Sequence, residues 1–171
     1  MTIERLLAIK ALLFDIDGVL TDGSVTLMPD GTQVRHLNIK DCYALQLAVK
    51  KGFLVGIISG GKSEMLRERL ASFGIEHIYM GVARKTERFD DLLIECELSE
   101  SDCLYMGDDI PDYEVMQRCG ISACPADAAH DIQQIALYVC KAKGGKGAVR
   151  EVVEQVLRAQ DKWMDADAFS W

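Results

Sequence analysis

Residues 14–23 read FDIDGVLTDG, with two aspartates, Asp15 and Asp17, one residue apart where an apolar run ends. In an extended segment, side chains at i and i+2 project to the same side. Asp15 can then attack an electrophile while Asp17 protonates the leaving group and later activates water. Gly18 lets the backbone turn sharply away from whatever sits between them. Further along stand Ser59 with Gly60 and Gly61, then Lys85, then GDDIPD with Asp108, Asp109 and Asp112. Crowded carboxylates repel one another unless a cation sits among them. A donor set of oxygens without histidine or cysteine favours Mg²⁺ over zinc. The Ser59 hydroxyl, the backbone N–H groups of Gly60 and Gly61 and the Lys85 ammonium make a cradle for a dianion. Carboxylates, magnesium and a phosphate cradle together point to phosphoryl transfer through a carboxylate nucleophile.

Groups so far apart in sequence need a frame that gathers them. Short apolar runs alternate with longer amphipathic stretches, the pattern of parallel strands joined by helices. AIKALLFDI, FLVGIIS, IEHIYM and DCLYMG read as four strands, with a shorter one at ISACP. SVTLMPDGTQVRHLNI has β-branched residues on both sides of the turn signal Pro29-Asp30-Gly31 and predicts a β-hairpin. Asp41 is expected to cap a helix running through CYALQLAVKK to Gly52. GGKSEMLRERLASFG, KTERFDDLLIECEL, YEVMQRC, a segment from about Ala126 and GGKGAVREVVEQVLRAQ read as further helices. The fold class is therefore α/β, a doubly wound, Rossmann-like parallel sheet with a hairpin insertion, read as one domain over residues 1–171. Ligands of such sheets bind at the carboxyl ends of the strands. Asp15 and Asp17 end the first strand, Ser59 the second, and Asp108, Asp109 and Asp112 follow the fourth. Lys85 opens the helix after the third.

Composition narrows the class. Apolar residues make up 49% of the 171, enough for one core, and the formal net charge of −8 argues against a nucleic-acid partner. It leaves room for a small phosphorylated metabolite gripped by a few local cations. The six cysteines form no CxxC pair, which fits reduced thiols packed in a core better than a zinc site. The amino-terminal MTIERLLAIK carries an acid and lacks the long apolar segment of a signal peptide, and no run is long enough to span a bilayer. A cytoplasmic location with no membrane partner is the expectation.

The motifs together carry a resemblance. DIDGV at 15–19, IISG at 57–60, Lys85 and GDDIPD at 107–112 stand in the order found in the haloacid dehalogenase superfamily of aspartyl phosphatases, which this chain resembles. The resemblance implies Asp15 as nucleophile and Asp17 as general acid/base, with Ser59 and Lys85 holding the phosphoryl group. It implies magnesium bound by the Asp15 carboxylate, the Asp17 backbone carbonyl and Asp108, with Asp109 and Asp112 as supports. Asp109 and Asp112 can also cap the helix beginning near Pro111. Many members insert a cap between the first two motifs. Here the stretch holds only the hairpin and one helix, so no cap domain is expected and a neighbouring subunit is the natural cover for the site.

TDGSVTLMPDGTQVRHLNIKD and GGKGAVRE narrow the resemblance to the small capless phosphatases acting on 3-deoxy-D-manno-octulosonate 8-phosphate, a lipopolysaccharide precursor, over about Ile9 to Gln160. That group implies a homotetramer joined through its hairpins, with Gly-rich tails reaching toward a neighbour's active site. Gly144, Gly145, Lys146 and Gly147 correspond to that tail, with Arg150 just inside the next helix. Close relatives act on nine-carbon sugar acid 9-phosphates of the 2-keto-3-deoxynononate or neuraminate type. They can carry glutamate where this chain has Gly61, which favours the eight-carbon ester. Arg69 is a candidate for pairing with the sugar carboxylate, or else a solvated helix-face arginine. Two rival readings are a non-catalytic oligomerisation module, which would be expected to lose Asp15, Asp17 or Lys85, and a phosphomutase, which would need a cap.

Overall fold

The computed structural model describes residues 1–170. The chain opens with helix α1 (Ile3–Ala8) and strand β1 (Ala11–Phe14), then the hairpin strands β2 (Thr26–Leu27) and β3 (Gln33–Val34) and helix α2 (Ile39–Lys50). Strand β4 (Leu54–Ile58), α3 (Glu64–Ala71), β5 (His77–Tyr79), α4 (Lys85–Glu95) and β6 (Cys103–Met106) follow. The remainder is α5 (Tyr113–Arg118), β7 (Ile121–Cys124), α6 (His130–Ile135), β8 (Tyr138–Val139) and α7 (Ala148–Ala159). Six strands form one parallel sheet in the order β5-β4-β1-β6-β7-β8, and β2 and β3 pair antiparallel outside it.

Alternation along the strands explains the two helical layers. On β1, Leu12 and Phe14 face a core with residues of α1, α2, α3 and α7, while Ala11 and Leu13 face a second core with α4, α5 and α6. Both faces being covered, the strands read as continuous apolar runs. Helix α7 buries Val149, Val152, Val153 and Val156, the i, i+3, i+4, i+7 stripe of one helical face. Between β1 and β4 the described residues hold only a loop, the hairpin and α2, so the sheet carries no cap.

Three local features depart from the sequence reading. The segment before β1 is helical, because Leu6 packs into the core and Gln160 Nε2 donates to the carbonyls of Leu6 and Ile9 at 3.0 and 2.8 Å. Asp41 does not cap α2. Asn38 does, accepting from the Lys40 N–H at 2.9 Å, while Asp41 turns inward to accept the amides of Gly147 and Arg150 at the start of α7. The sixth strand, β8, is too short to leave a periodic signal. The segment after Gln160 folds back on its own chain. The Arg150 and Arg158 guanidiniums lie over the Trp163 ring at 4.7 and 5.5 Å, and the Tyr43 hydroxyl donates to the Ala168 carbonyl. Trp171 lies outside the described residues.

Candidate active site

Strand ends deliver the acids. Asp15 directly follows β1, and its own N–H still donates to the Met106 carbonyl of β6 at 3.0 Å, so the nucleophile candidate is fixed by sheet pairing. One oxygen accepts the Ile16 amide at 2.7 Å and the other meets Lys85 Nζ at 2.8 Å. The chain then coils tightly, with the amides of Val19, Leu20 and Thr21 all returning to the Ile16 carbonyl. Gly18 sits at φ +84°, and a Cβ there would run into the Asp108 carboxylate. That close approach, as much as the turn, requires glycine.

Asp108 follows β6, one residue beyond the position opposite Asp15. Oxygens of Asp15, Asp108 and Asp112 lie within 4.8 Å of one another. Asp112 is already engaged: one oxygen takes Lys85 Nζ at 2.7 Å and the Tyr105 hydroxyl at 2.6 Å, the other the Asp108 and Asp109 amides at 3.2 and 3.4 Å. Asp109 caps the short 3₁₀ turn at Ile110–Asp112, as the capping alternative had it.

The charge balance is lopsided. Asp15 and Lys85 are 8% and 6% exposed, and Asp112 is wholly buried. Three carboxylates thus share one ammonium. Burial, then the neighbouring Asp15 and Asp112, push the Asp108 carboxyl up to about 7. Burial likewise raises Asp15 against the pull of Lys85. Burial pulls the Lys85 ammonium down, but Asp15 and Asp112 more than offset it and keep it charged. A divalent cation beside Asp15 and Asp108 would relieve this excess of negative charge, and an all-oxygen donor set suits a hard ion. Asp112, with every lone pair committed, serves better as a support than as a ligand.

Ser59, after β4, is almost fully buried, and its Oγ accepts the Gly61 amide at 3.2 Å. Gly61 faces the acids closely: a Cβ there would lie 3.1 Å from Asp17 Oδ2 and 3.6 Å from Ser59 Oγ. A cleft of about 430 Å³ has Asp15, Asp17, Ser59, Gly60, Gly61, Lys85 and Asp108 in its walls, beside Asp109 and Asp112. Nine of the ten residues singled out in the sequence therefore converge. Arg69 does not. It is exposed on α3, stacked over Phe73 at 4.6 Å, and lines neither this cleft nor the adjoining one, having been carried along the helix beyond the cleft wall. A larger hollow of about 760 Å³ near Arg5, Arg118 and Gly120 lies at the amino ends of the strands and holds none of these groups.

Two functional neighbours escaped the sequence reading. Arg35, just after β3, forks onto Asp17, with Nε to Oδ1 at 2.7 Å and Nη2 to Oδ2 at 3.1 Å. Its only sequence signal is a cation in a strand otherwise read for its apolar residues. Tyr105, in the middle of buried β6, had a clearer one, since a buried phenol needs a hydrogen-bond partner. The Gly-rich segment also corrects an expectation: Gly144 and Gly145 are buried against Gly18, Thr21 and Asp22 of their own chain, and so are not free to reach a neighbour's site.

Comparison with known proteins agrees with this geometry. Residues 71–152 match the family of haloacid dehalogenase-like hydrolases. The 3-deoxy-D-manno-octulosonate 8-phosphate phosphatase of Escherichia coli (strain K12) is 37% identical over 158 residues, covering 92% of this chain and 84% of that protein. The crystal structure of the phosphatase of the same name from Yersinia pestis superposes with TM-score 0.91 at 36% identity, over 94% of this chain and 86% of that one. The Moraxella catarrhalis enzyme, solved with a magnesium ion, a phosphate ion and a KDO molecule, gives TM-score 0.92 at 31% identity over 98% and 94%. With strand-end acids, lysine and hydroxyl gathered in one uncapped cleft and relatives matching nearly end to end, the chain belongs to the haloacid dehalogenase superfamily as a phosphomonoester hydrolase of the 3-deoxy-D-manno-octulosonate 8-phosphate phosphatase family.

Proposed function

We propose that this chain, one phosphatase domain over residues 1–171, hydrolyses 3-deoxy-D-manno-octulosonate 8-phosphate to the free sugar acid and phosphate in lipopolysaccharide precursor synthesis. The observation that carries the chemistry is Asp15 held between the Ile16 amide and Lys85, beside an Asp17 that points into the same cleft. An Asp15 oxygen attacks phosphorus, and the bond from phosphorus to the sugar oxygen breaks. Asp17 gives its proton to that leaving oxygen. Water then attacks the aspartyl phosphate, yielding its proton to Asp17, and Asp15 is regenerated. Ser59 Oγ, the amides at Gly60 and Gly61, and Lys85 hold the phosphoryl oxygens throughout.

Magnesium fits the donor set: the carboxylates of Asp15 and Asp108 and the Asp17 carbonyl would hold it. When bound, a divalent cation draws negative charge off the phosphoryl oxygens. Asp112 contributes indirectly, by keeping Lys85 in place.

The sugar is read from the lack of a side chain at Gly61: a Cβ added there would lie 3.1 Å from Asp17 Oδ2 and 3.6 Å from Ser59 Oγ, and no charged group stands there for a longer sugar. A homotetramer joined through the hairpins is proposed from their exposed apolar residues, Val25, Leu27 and Met28, with Ile39 beside them.

Phosphate release from the eight-carbon 8-phosphate and from the nine-carbon 9-phosphate, with magnesium and with chelator, tests the reading, with Asp15→Asn alongside. Preference for the eight-carbon ester, lost in both controls, is expected. Preference for the nine-carbon ester would reassign the sugar. Release from neither ester by a folded, magnesium-loaded protein would leave the oligomerisation-module reading.

A further inference from the structure

Asp41 is a fully buried carboxylate that the proposed chemistry does not use. It lies on α2, and both of its oxygens cross to another element: Oδ1 accepts the Arg150 amide at 2.7 Å and Oδ2 the Gly147 amide at 3.1 Å. Asp41 therefore supplies the start of α7 with acceptors that the helix itself lacks. One turn earlier on the same wall, Asn38 Nδ2 donates to the Gly145 carbonyl at 3.3 Å. Asp127 Oδ1 accepts the Gly144 amide at 2.9 Å from the other side.

What these contacts hold is a wedge. The Gly145 amide donates to the Val19 carbonyl at 2.9 Å, and a Cβ at Gly144 would run into the Gly18 carbonyl oxygen. Gly145, at φ +62°, leaves only 2.7 Å between a built Cβ and the Asp22 nitrogen. The segment thus lies flush against the loop 16–22, with no space for a side chain at either position. In that loop Thr21 Oγ1 sits 3.4 Å from Asp17 Oδ1 and 3.4 Å from the Ile16 carbonyl. Displacing the wedge would free the backbone that aims Asp17.

We propose that Asp41 is a positioning residue of the phosphatase site: by anchoring residues 144–147 it clamps the loop that carries Asp17. The role rests on Asp17 being the general acid/base, and Asp41 itself touches neither substrate nor reacting atoms. A purely structural cap would cost stability alone, so the test pairs Asp41→Asn with Val153→Ala. Val153 is buried on α7 and its truncation loosens that helix's packing without touching the wedge.

For Asp41→Asn, kcat per folded molecule on the phosphate ester is expected to fall about tenfold to hundredfold with KM little changed, as small misplacements of catalytic groups do. Hydrogen exchange at the amides of 16–22 in metal-free protein is expected to quicken by about tenfold. Val153→Ala should lower the melting temperature and leave both quantities as in the wild type. Wild-type exchange across 16–22 in Asp41→Asn, or an equal change in Val153→Ala, overturns the proposal. The exchange arm needs no substrate, so it stands or falls apart from the choice of sugar. Should Asp41→Asn not fold, Gly145→Ala attacks the wedge from its other end and carries the same expectations and the same refutation.

Discussion

Arg35 grips Asp17 with two nitrogens, 2.7 and 3.1 Å from the two carboxylate oxygens, while its own side chain is only 7% exposed. A fork of this kind fixes the plane of a carboxylate as a single ammonium cannot. Arg35→Met is therefore expected to lower kcat by about tenfold to hundredfold, part of the roughly 10²–10⁴ that acid–base catalysis supplies. Arg35→Lys should recover only some of it. Steady-state kinetics of both variants checks this, and wild-type kcat in Arg35→Met would remove Arg35 from the site.

Asp112 is the acceptor shared by Lys85, Tyr105 and two backbone amides. Removing Asp112 leaves Lys85 its ion pair with Asp15 but takes the acceptor from the buried Tyr105 hydroxyl and from the two amides, at about 1–3 kcal/mol per unsatisfied group. Asp112→Ala should show a destabilisation of that order in denaturant melts, together with loss of activity. Tyr105→Phe removes one hydrogen bond and should cost about 1 kcal/mol while keeping most activity. Equal effects of the two substitutions would contradict the hub role given to Asp112.

The acids and serine were legible in the sequence because they follow the ends of strands, which announce themselves as apolar runs that stop, and Lys85 because it opens the helix after one. Helix α7 was legible through the Gly-rich turn that leads into it. What stayed hidden depends on contacts across the fold. Asp41 looks like a cap for α2, since capping is local, and only the approach of α7 shows which helix it serves. Arg35 lies 18 residues from Asp17, on a hairpin whose orientation no periodicity encodes. Arg69 illustrates the converse: its residue type suits a carboxylate partner, but the helix carries it past the cleft to Phe73.

Asp108, raised from 3.8 to about 7, makes the metal-free protein's stability fall as pH rises. Between those values the folded state binds a proton that the unfolded state has released, so each step up in pH favours unfolding. Asp22 and Asp102, lowered to about 2 by hydrogen bonds from Ser24 and Ser99, act with the opposite sign and in a separate window below 3.8. Thermal melts with chelator should therefore decline from about pH 4 to about pH 7, and magnesium should reverse the decline toward pH 7. A chelated protein whose melting temperature rises across that window would show that Asp108 is not the strained acid.

Leu27 is 73% and Ile39 58% exposed, on a hairpin and the adjoining helix start that stand outside the sheet. Apolar surface placed there, with Val25 and Met28 beside it, calls for a partner surface. The hairpin is also the element that leads to Arg35, so subunit contact and the Asp17 fork share one segment. Leu27→Asp is expected to convert the proposed tetramer to smaller species in light scattering while circular dichroism stays unchanged. If a neighbour covers the open cleft, the dissociated form should lose more activity on the bulky sugar ester than on a small aryl phosphate, because the groups proposed to hold the phosphoryl oxygens all line the cleft from one chain. Equal losses on both esters would mean that the partner stabilises the hairpin and Arg35 without contacting the sugar. A wild-type protein that is monomeric at micromolar concentration would sink the tetramer outright.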